Sequence, residues 1–389
     1  MDFDLSPERR QFVEAVRRFA ERELAAGALA RAHADGLPWD VAAKLAAQGL
    51  FGITVKSEDG GQGGTLLDAV LAIETVALVC PRSADLVQAG NFGAIRTFAE
   101  YASAEQKRRF LPDLLAGKAV MSVGMSEPEA GSAVTDLKTK AEPDGKGFRV
   151  NGTKVFSTNS GEAAVFLVYV RFGPGVGGIG SVLIERDRPG LRIGRPSRFM
   201  NGESWSQLYF EDCFVPAENV LLGAGGFKRQ IAGFNVERLG NSARALAVGR
   251  CALNLARDHA LSRIQFGRPL AEFQGLQWKF ADAAMQMDGA QMLLYRAAVA
   301  ADRGLPDAYQ TAVAKLACNL AGFNAANEAV QVMGALGFSQ ESLAEYCLRR
   351  TRGWMIAGGS VEILRNRIAE TVFGRSFDQR PPKPEAKGR

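Results

Sequence analysis

Two short segments near the middle of the 389-residue chain carry groups suited to holding a ligand. Met125-Ser126-Glu127-Pro128-Glu129-Ala130-Gly131-Ser132 is a small-residue turn dense in N–H groups and hydroxyls, which suits an anionic or carbonyl-rich ligand. Phe156-Ser157-Thr158 follows an Asn151-Gly152 pair that predicts a hairpin turn. Alternation along the strand after it points the side chains of Phe156 and Thr158 to one face. An aromatic ring and a hydroxyl so placed fit a flat heteroaromatic group needing one stacking surface and one hydrogen-bond donor. Taken singly, each segment also reads as an ordinary polar turn or a half-buried strand.

The elements that would position them change character along the chain. Residues 1–120 read as helices. Ser6 is the expected N-cap and Pro7 the first helical residue, with Phe12, Val13, Val16, Phe19 and Ala20 at helical spacing. Gly60-Gly61-Gln62-Gly63-Gly64 lacks the Lys-Ser/Thr of a phosphate-binding loop and reads as a turn between helices. Between 121 and 225, short runs at 148–150, 154–156, 165–171, 181–184 and 207–210 predict a small β-domain. Long alanine-rich helices are expected over 233–263, 273–303 and 307–333, packed as a bundle with apolar surface left for oligomerisation. The Pro- and charge-rich residues 380–389 predict a disordered tail.

Composition narrows the classes. With 47% hydrophobic residues the chain can fill two or three cores. It has no apolar run long enough for a membrane span and no basic-then-apolar leader, so a cytoplasmic location is expected. A net charge of +5 without a basic stripe gives no reason to expect nucleic acid. Two histidines, His33 and His259, and five scattered cysteines argue against a metal site, a disulfide framework and a His-dependent hydrolase. His259 reads as a surface or interface residue.

The order and spacing of the two central segments resemble the flavin cassette of the acyl-CoA dehydrogenase family, whose usual forms read (Ser/Thr)-Glu-Pro-x-Ala-Gly-Ser and Trp-Ile-Thr. The resemblance covers nearly the whole chain. It implies an α+β fold with an N-terminal helical domain (1–120), a middle β-domain (121–225) and a C-terminal four-helix-bundle-like domain (226–379), with FAD as cofactor. Flavin contacts are implied at Val123, Met125, Ser126, Gly131, Ser132, Phe156, Ser157 and Thr158. Further contacts, some from a neighbouring subunit, are implied on the Arg263-Ile264-Gln265-Phe266-Gly267 stretch and at Gln274. Gln331, Gly334 and Ala335 match the family's Gln-x-x-Gly-Gly turn, with alanine replacing the final glycine. Phe156 replaces the customary tryptophan, and Ser157 an apolar residue.

Oxidising an acyl thioester requires a base for a weakly acidic α-proton, a task suited to a desolvated carboxylate. Many family members carry this glutamate late in the chain, just before Gly-Thr or Gly-Ser. Here Gly358 stands in that place, ahead of Gly359-Ser360. Members resembling isovaleryl-CoA and long-chain dehydrogenases place the base before an arginine on another helix, which points to Glu237, followed by Arg238. Glu362 is the competing carboxylate, assigned with Ser360 to cofactor contact. Backbone N–H groups around Gly358 and Gly359 are expected to polarise the thioester carbonyl. Asn235 and Arg238 would line the CoA passage, with Lys228 and Ser132 as further substrate contacts. The segment Cys80–Asp85 is a candidate border of the pocket floor. The resemblance implies an acyl-CoA substrate, electron transfer to an electron-transfer flavoprotein, and a homotetramer or homodimer. Three alternatives share these motifs: an enoyl-CoA reductase like crotonobetainyl-CoA reductase, an oxygen-using flavin enzyme, and a non-catalytic flavin- or CoA-binding paralogue.

Overall fold

The computed structural model describes residues 4–301, 305–377, 379 and 380. The first part is helical: α1 (Pro7–Leu24), α2 (Ala28–His33), α3 (Trp39–Ala47), α4 (Leu66–Val79), α5 (Pro81–Ala89), α6 (Gly93–Tyr101) and α7 (Ala104–Leu115). Strands follow: β1 (Met121–Gly124), β2 (Lys140–Asp144), β3 (Gly147–Thr158), β4 (Val165–Arg171), β5 (Ile179–Glu185), β6 (Leu191–Ile193), β7 (Ser197–Arg198), β8 (Ser204–Pro216) and β9 (Val220–Leu222). The rest is α8 (Phe227–Ser262), a hairpin of β10 (Ile264–Gln265) and β11 (Arg268–Pro269), α9 (Gln274–Ala301), α10 (Ala308–Met333), α11 (Ala335–Phe338), α12 (Leu343–Trp354) and α13 (Val361–Val372).

Local signals explain the boundaries. Ser6 accepts the Arg9 N–H, Pro7 opens α1, and Val16, Phe19, Ala20 and Leu24 form its buried face. Thr65 and Asp68 close a capping box on α4, and Arg9 Nε donates to Asp68 Oδ1 at 2.9 Å, tying α1 to α4. Helix α4 is apolar almost all round and buried accordingly.

The sheet runs β6-β8-β3-β2-β4-β5-β9, with β1 parallel to β4 and β7 on β8. The hairpin expected at Asn151-Gly152 is not there. That pair lies inside β3, at a register shift against β8, and the chain reverses earlier, at Gly145 between β2 and β3. Asn151 accepts the Asp212 N–H and donates to Asp212 Oδ1, which holds the irregularity. Any Cβ at Gly152 would meet Thr139 Oγ1 at 2.5 Å. The glycine therefore serves a close backbone approach rather than a turn.

Helix α8 runs through the helical core against α10, α4 and α12. A Cβ at Gly249 would lie 2.5 Å from Gly322 O, and one at Gly322 would overlap Ala245 O. The two backbones can touch only because both residues are glycine. This contact sets the distance between the candidate base on α8 and the side chains of α10. None of the described helices is long and apolar enough to cross a membrane. Residues 381–389 of the expected disordered tail lie outside the described residues. Arg380, its first residue, pairs with Asp136 at 2.7 Å.

Candidate active site

Glu237 stands on α8 with its side chain 17% exposed. Gln88 Nε2, from α5, donates to Glu237 Oε2 at 2.5 Å, and Arg244 Nη2 lies 4.0 Å from Oε1. Burial pushes its carboxyl up to about 7, against the opposing pull of Arg244, the Gln88 hydrogen bond, Lys315 and Asn241. The carboxylate packs against Gly93, the first residue of α6, where a Cβ would sit 2.9 Å from Oε2. Of the two arginines that could neutralise it, Arg238 points elsewhere and Arg244 is shared. Arg244 Nη1 also bonds Asp85 Oδ1 at 3.1 Å, and Arg350 joins the same oxygen at 2.6 Å and Glu203 Oε2 at 2.5 Å. Arg82 stands 3.6 Å from Asp85 and 3.8 Å from Glu203. Asp85, in the segment expected to border the pocket floor, thus belongs to a buried ion network beside the base.

The turn between α12 and α13 carries Gly358 and Gly359, with φ of 75° and 95°. Arg238 Nε donates to Gly358 O at 3.1 Å and its Nη1 to Asn235 Oδ1 at 2.8 Å. Lys315 Nζ, fully buried on α10, donates to Trp354 O at 3.0 Å and Gly359 O at 3.1 Å, while Asn319 Nδ2 donates to Trp354 O at 2.6 Å. Within the described residues, the N–H groups of Gly358, Gly359 and Ser360 donate to no protein acceptor. Three consecutive free donors over left-handed glycines make a concave site for an oxygen with negative charge. The structure therefore brings Asn235, Arg238, Gly358 and Gly359 into one bonded group, with Lys315 and the Asn241 amide between that turn and the Glu237–Arg244 side of α8.

Beyond this turn α13 starts at Val361, with Ser360 as N-cap accepting the Ile363 N–H, and Glu362 lies in its first turn. Glu362 is exposed and 3.9 Å from Arg365. At the Gln331–Ala335 stretch the positive φ of 60° belongs to Gly334, and Ala335 begins α11.

The two central segments are fastened together. Val155 N donates to Ser126 O at 2.9 Å, and Ser122 Oγ to Thr158 O at 2.7 Å. Lys154, fully buried, donates to Met125 O at 3.2 Å and Glu127 Oε1 at 2.7 Å. Val123 is the last residue but one of the adjoining strand β1, two before Met125. Glu127 in turn accepts the N–H groups of Lys138 and Thr139, so one carboxylate shapes the whole turn. Phe156 sits on an irregularity of β3 with φ of 58° and is 57% exposed. Trp205 of β8 lies 4.6 Å from it, and Phe199 packs on both rings. The tryptophan missing at 156 is thus matched by one on the neighbouring strand. Ser157 is buried with an unpartnered hydroxyl, Ser132 is exposed, and space within 4 Å of a Cβ at Gly131 is empty.

The remaining residues stand apart. Arg263 caps α8, Phe266 projects from the β10–β11 hairpin 94% exposed, and Gln274 opens α9, also exposed. Gln331 and Gly334 end α10 on an exposed turn, and Lys228 is exposed in the first turn of α8. Sequence reasoning missed Gln88, Lys154, Trp205, Lys315 and Asn319. A lysine set among alanines and leucines, as in Ala314-Lys315-Leu316-Ala317, was the available signal for one of them.

Sequence profiles of the acyl-CoA dehydrogenase N-terminal, middle and C-terminal domains match residues 6–118, 122–213 and 224–373. The chain belongs to the acyl-CoA dehydrogenase family. It is a flavoprotein oxidoreductase acting on the CH–CH bond of acyl-CoA, with FAD as its cofactor. Relatives include 3-sulfinopropanoyl-CoA desulfinase of Paraburkholderia xenovorans (strain LB400), 33% identical over 97% of this chain and 99% of that protein. Acryloyl-CoA reductase (NADH) of Anaerotignum propionicum is also 33% identical, over 96% and 97%. Butyryl-CoA dehydrogenase from Megasphaera elsdenii superposes with a TM-score of 0.90 at 29% identity, over 96% of this chain and 100% of that one.

Proposed function

We propose that this protein removes the α-proton and β-hydrogen of a short acyl-CoA, with Glu237 as the base. The observation that carries it is the buried carboxyl at 237, raised to about 7 and held by Gln88, on the helix whose Arg238 also binds the glycine turn. A base with that value is half ionised near neutral pH and returns its proton readily. The free N–H groups of 358–360 would hold the thioester oxygen, where charge builds as the α-proton leaves. Asn235 and Arg238 would line the CoA passage, with Lys228 and Ser132 as outer contacts.

The residues present fit FAD. Phe156 offers an exposed ring backed by Trp205, Gly131 and Gly334 leave open space, and Ser157 has a spare buried hydroxyl. Val123, Met125, Ser126, Gly131, Ser132, Phe156, Ser157 and Thr158 would hold one end of the cofactor, with Ser360 and Glu362 near the catalytic turn. Arg263, Phe266, Gln274, Gln331, Gly334 and Ala335, so exposed in one chain, would meet the cofactor of a second copy. FAD, when bound, supplies the acceptor for the β-hydrogen and its electron pair. A homotetramer or homodimer is further supported by α9, whose Trp278, Met285, Met292 and Val299 are exposed and spaced by seven. Passage of electrons to an electron-transfer flavoprotein, a cytoplasmic setting and a division of labour at about residues 120 and 225 complete the reading.

A short acyl group is favoured, with the charged network of Asp85, Arg244, Arg350 and Glu203 standing beside Glu237. The named substrates of the three relatives are short as well. Anaerobic titration of the flavin-loaded protein with acyl-CoAs of increasing length tests this. Bleaching by short thioesters, lost in Glu237→Gln, is expected. Bleaching of Glu237→Gln at the wild-type rate removes Glu237 from the role. If only an enoyl-CoA reoxidises the chemically reduced protein, the working direction is reduction, as for the acryloyl-CoA relative.

A further inference from the structure

Lys315 is a fully buried cationic side chain that, among the described residues, makes no carboxylate hydrogen bond; its Nζ donates there to the backbone oxygens of Trp354 and Gly359. Burying an ammonium there is costly, and Asn319 already satisfies the Trp354 oxygen at 2.6 Å. A residue kept for stapling alone would have no need of charge. The bond to Gly359 O has a directional consequence. In a trans peptide the C=O and the next N–H point to opposite sides. Holding Gly358 O with Arg238 and Gly359 O with Lys315 therefore turns the Gly359 N–H away from Arg238 and the Ser360 N–H away from Lys315. The same bonds polarise those amides and strengthen them as donors.

We infer that Lys315 is a positioning residue for the reaction: it orients the Gly359 and Ser360 N–H groups toward the thioester oxygen and electrostatically favours the ionised form of Glu237. The inference rests on the reading of Glu237 as base. The charged groups facing Lys315 are Glu237, Arg238 and Arg244, and those facing Glu237 are Arg244 and Lys315, with Asp85 and Arg350 beyond Arg244. Burial, then the two arginines, pull the Lys315 amine down to about 7, while Glu237 opposes them. Base and amine thus titrate in the same range and influence one another.

Three variants separate positioning from packing, each measured as the limiting rate of anaerobic flavin bleaching against pH. Lys315→Met loses both the donor and the charge. It is expected to slow bleaching about 10- to 100-fold, with acyl-CoA affinity changed less than about threefold, and to shift the pH at half-maximal rate upward. Lys315→Gln keeps a donor without charge, so it should recover much of the rate yet show the same upward shift. Asn319→Leu removes the neutral staple on Trp354 O and should leave the pH profile in place. An unshifted profile in flavin-loaded Lys315→Gln overturns the electrostatic half of the inference, even where Lys315→Met fails to fold. A Lys315→Met rate within twofold of wild type overturns the positioning half. If no acyl-CoA bleaches the wild type, the failure belongs to the proposed function instead.

Discussion

Replacing Glu237 by glutamine should stabilise the protein at high pH and not at low pH. The carboxyl titrates near 7 in the folded chain and near 4.5 when exposed, because burial outweighs Arg244, Gln88 and Lys315. Below about pH 4.5 both states hold the proton and the shift has no effect on stability. Between 4.5 and 7 the folded state keeps a proton that the unfolded state releases, so this group's contribution falls as pH rises and is fully unfavourable above 7. A shift of ~2.5 units corresponds to ~3 kcal/mol. Neutralising residue 237 also deprives Lys315 of a nearby carboxylate, which reduces the expected gain to about 2 kcal/mol.

Glutamine is the appropriate probe because its amide oxygen can still accept from Gln88, so packing and the hydrogen bond are retained. The assay is the difference in melting temperature between flavin-loaded variant and wild type, followed from pH 5 to pH 8.5. For a chain of this size the gain should appear as a difference growing by about 2–4 °C across that range in favour of the variant. Bleaching by acyl-CoA should meanwhile be lost. A difference that stays flat with pH, or that turns against glutamine at high pH, would show that Glu237 is ionised at ordinary cost and lacks the desolvated environment assigned to it.

Three other outcomes follow from the geometry. Lys154→Met strands Glu127 without its buried partner and should cost about 3–5 kcal/mol locally, read as loss of bound flavin and early proteolysis near 125–139. Trp205→Ala removes the ring 4.6 Å from Phe156 and should raise flavin dissociation several-fold while bleaching by acyl-CoA persists in the loaded fraction. Moving the base back, as Gly358→Glu with Glu237→Gly, should not restore bleaching: position 358 has φ of 75°, and its Cβ would lie 2.8 Å from the Asn241 amide.

Much of the architecture could be read from the chain because its signals are local. Ser6-Pro7 starts α1, and the alanine-rich periodicities over 233–263, 273–303 and 307–333 correspond to α8, α9 and α10. Asn151-Gly152 misled because the same dipeptide serves a tight turn or a close approach, and only the partner strand, with Thr139 and Asp212 in contact, distinguishes them. The residues missed share that dependence. Gln88 is an unremarkable helical glutamine until α5 lies against α8. Trp205 gains meaning only when the β3–β8 register sets it beside Phe156.

Two features that the sequence shows only as separate oddities, a glycine at 358 and a Glu-Arg pair at 237, are joined in the fold. Glycines at 358 and 359 permit the left-handed turn that leaves three N–H groups free, and a side chain at 358 would both strain that turn and displace Asn241. Asn241 accepts from Arg244, which lies 4.0 Å from Glu237, so disturbing 358 reaches the carboxylate through two contacts. Arg238, next to the base in sequence, holds the other side of the same turn through Gly358 O. A base on α8 and a bare turn at 358 are therefore one arrangement, in which the helix that carries the carboxylate also orients the donors for the thioester. Restoring a glutamate at 358 would have to rebuild both sides of that arrangement, which is why exchanging the two residues alone should leave the protein unable to bleach.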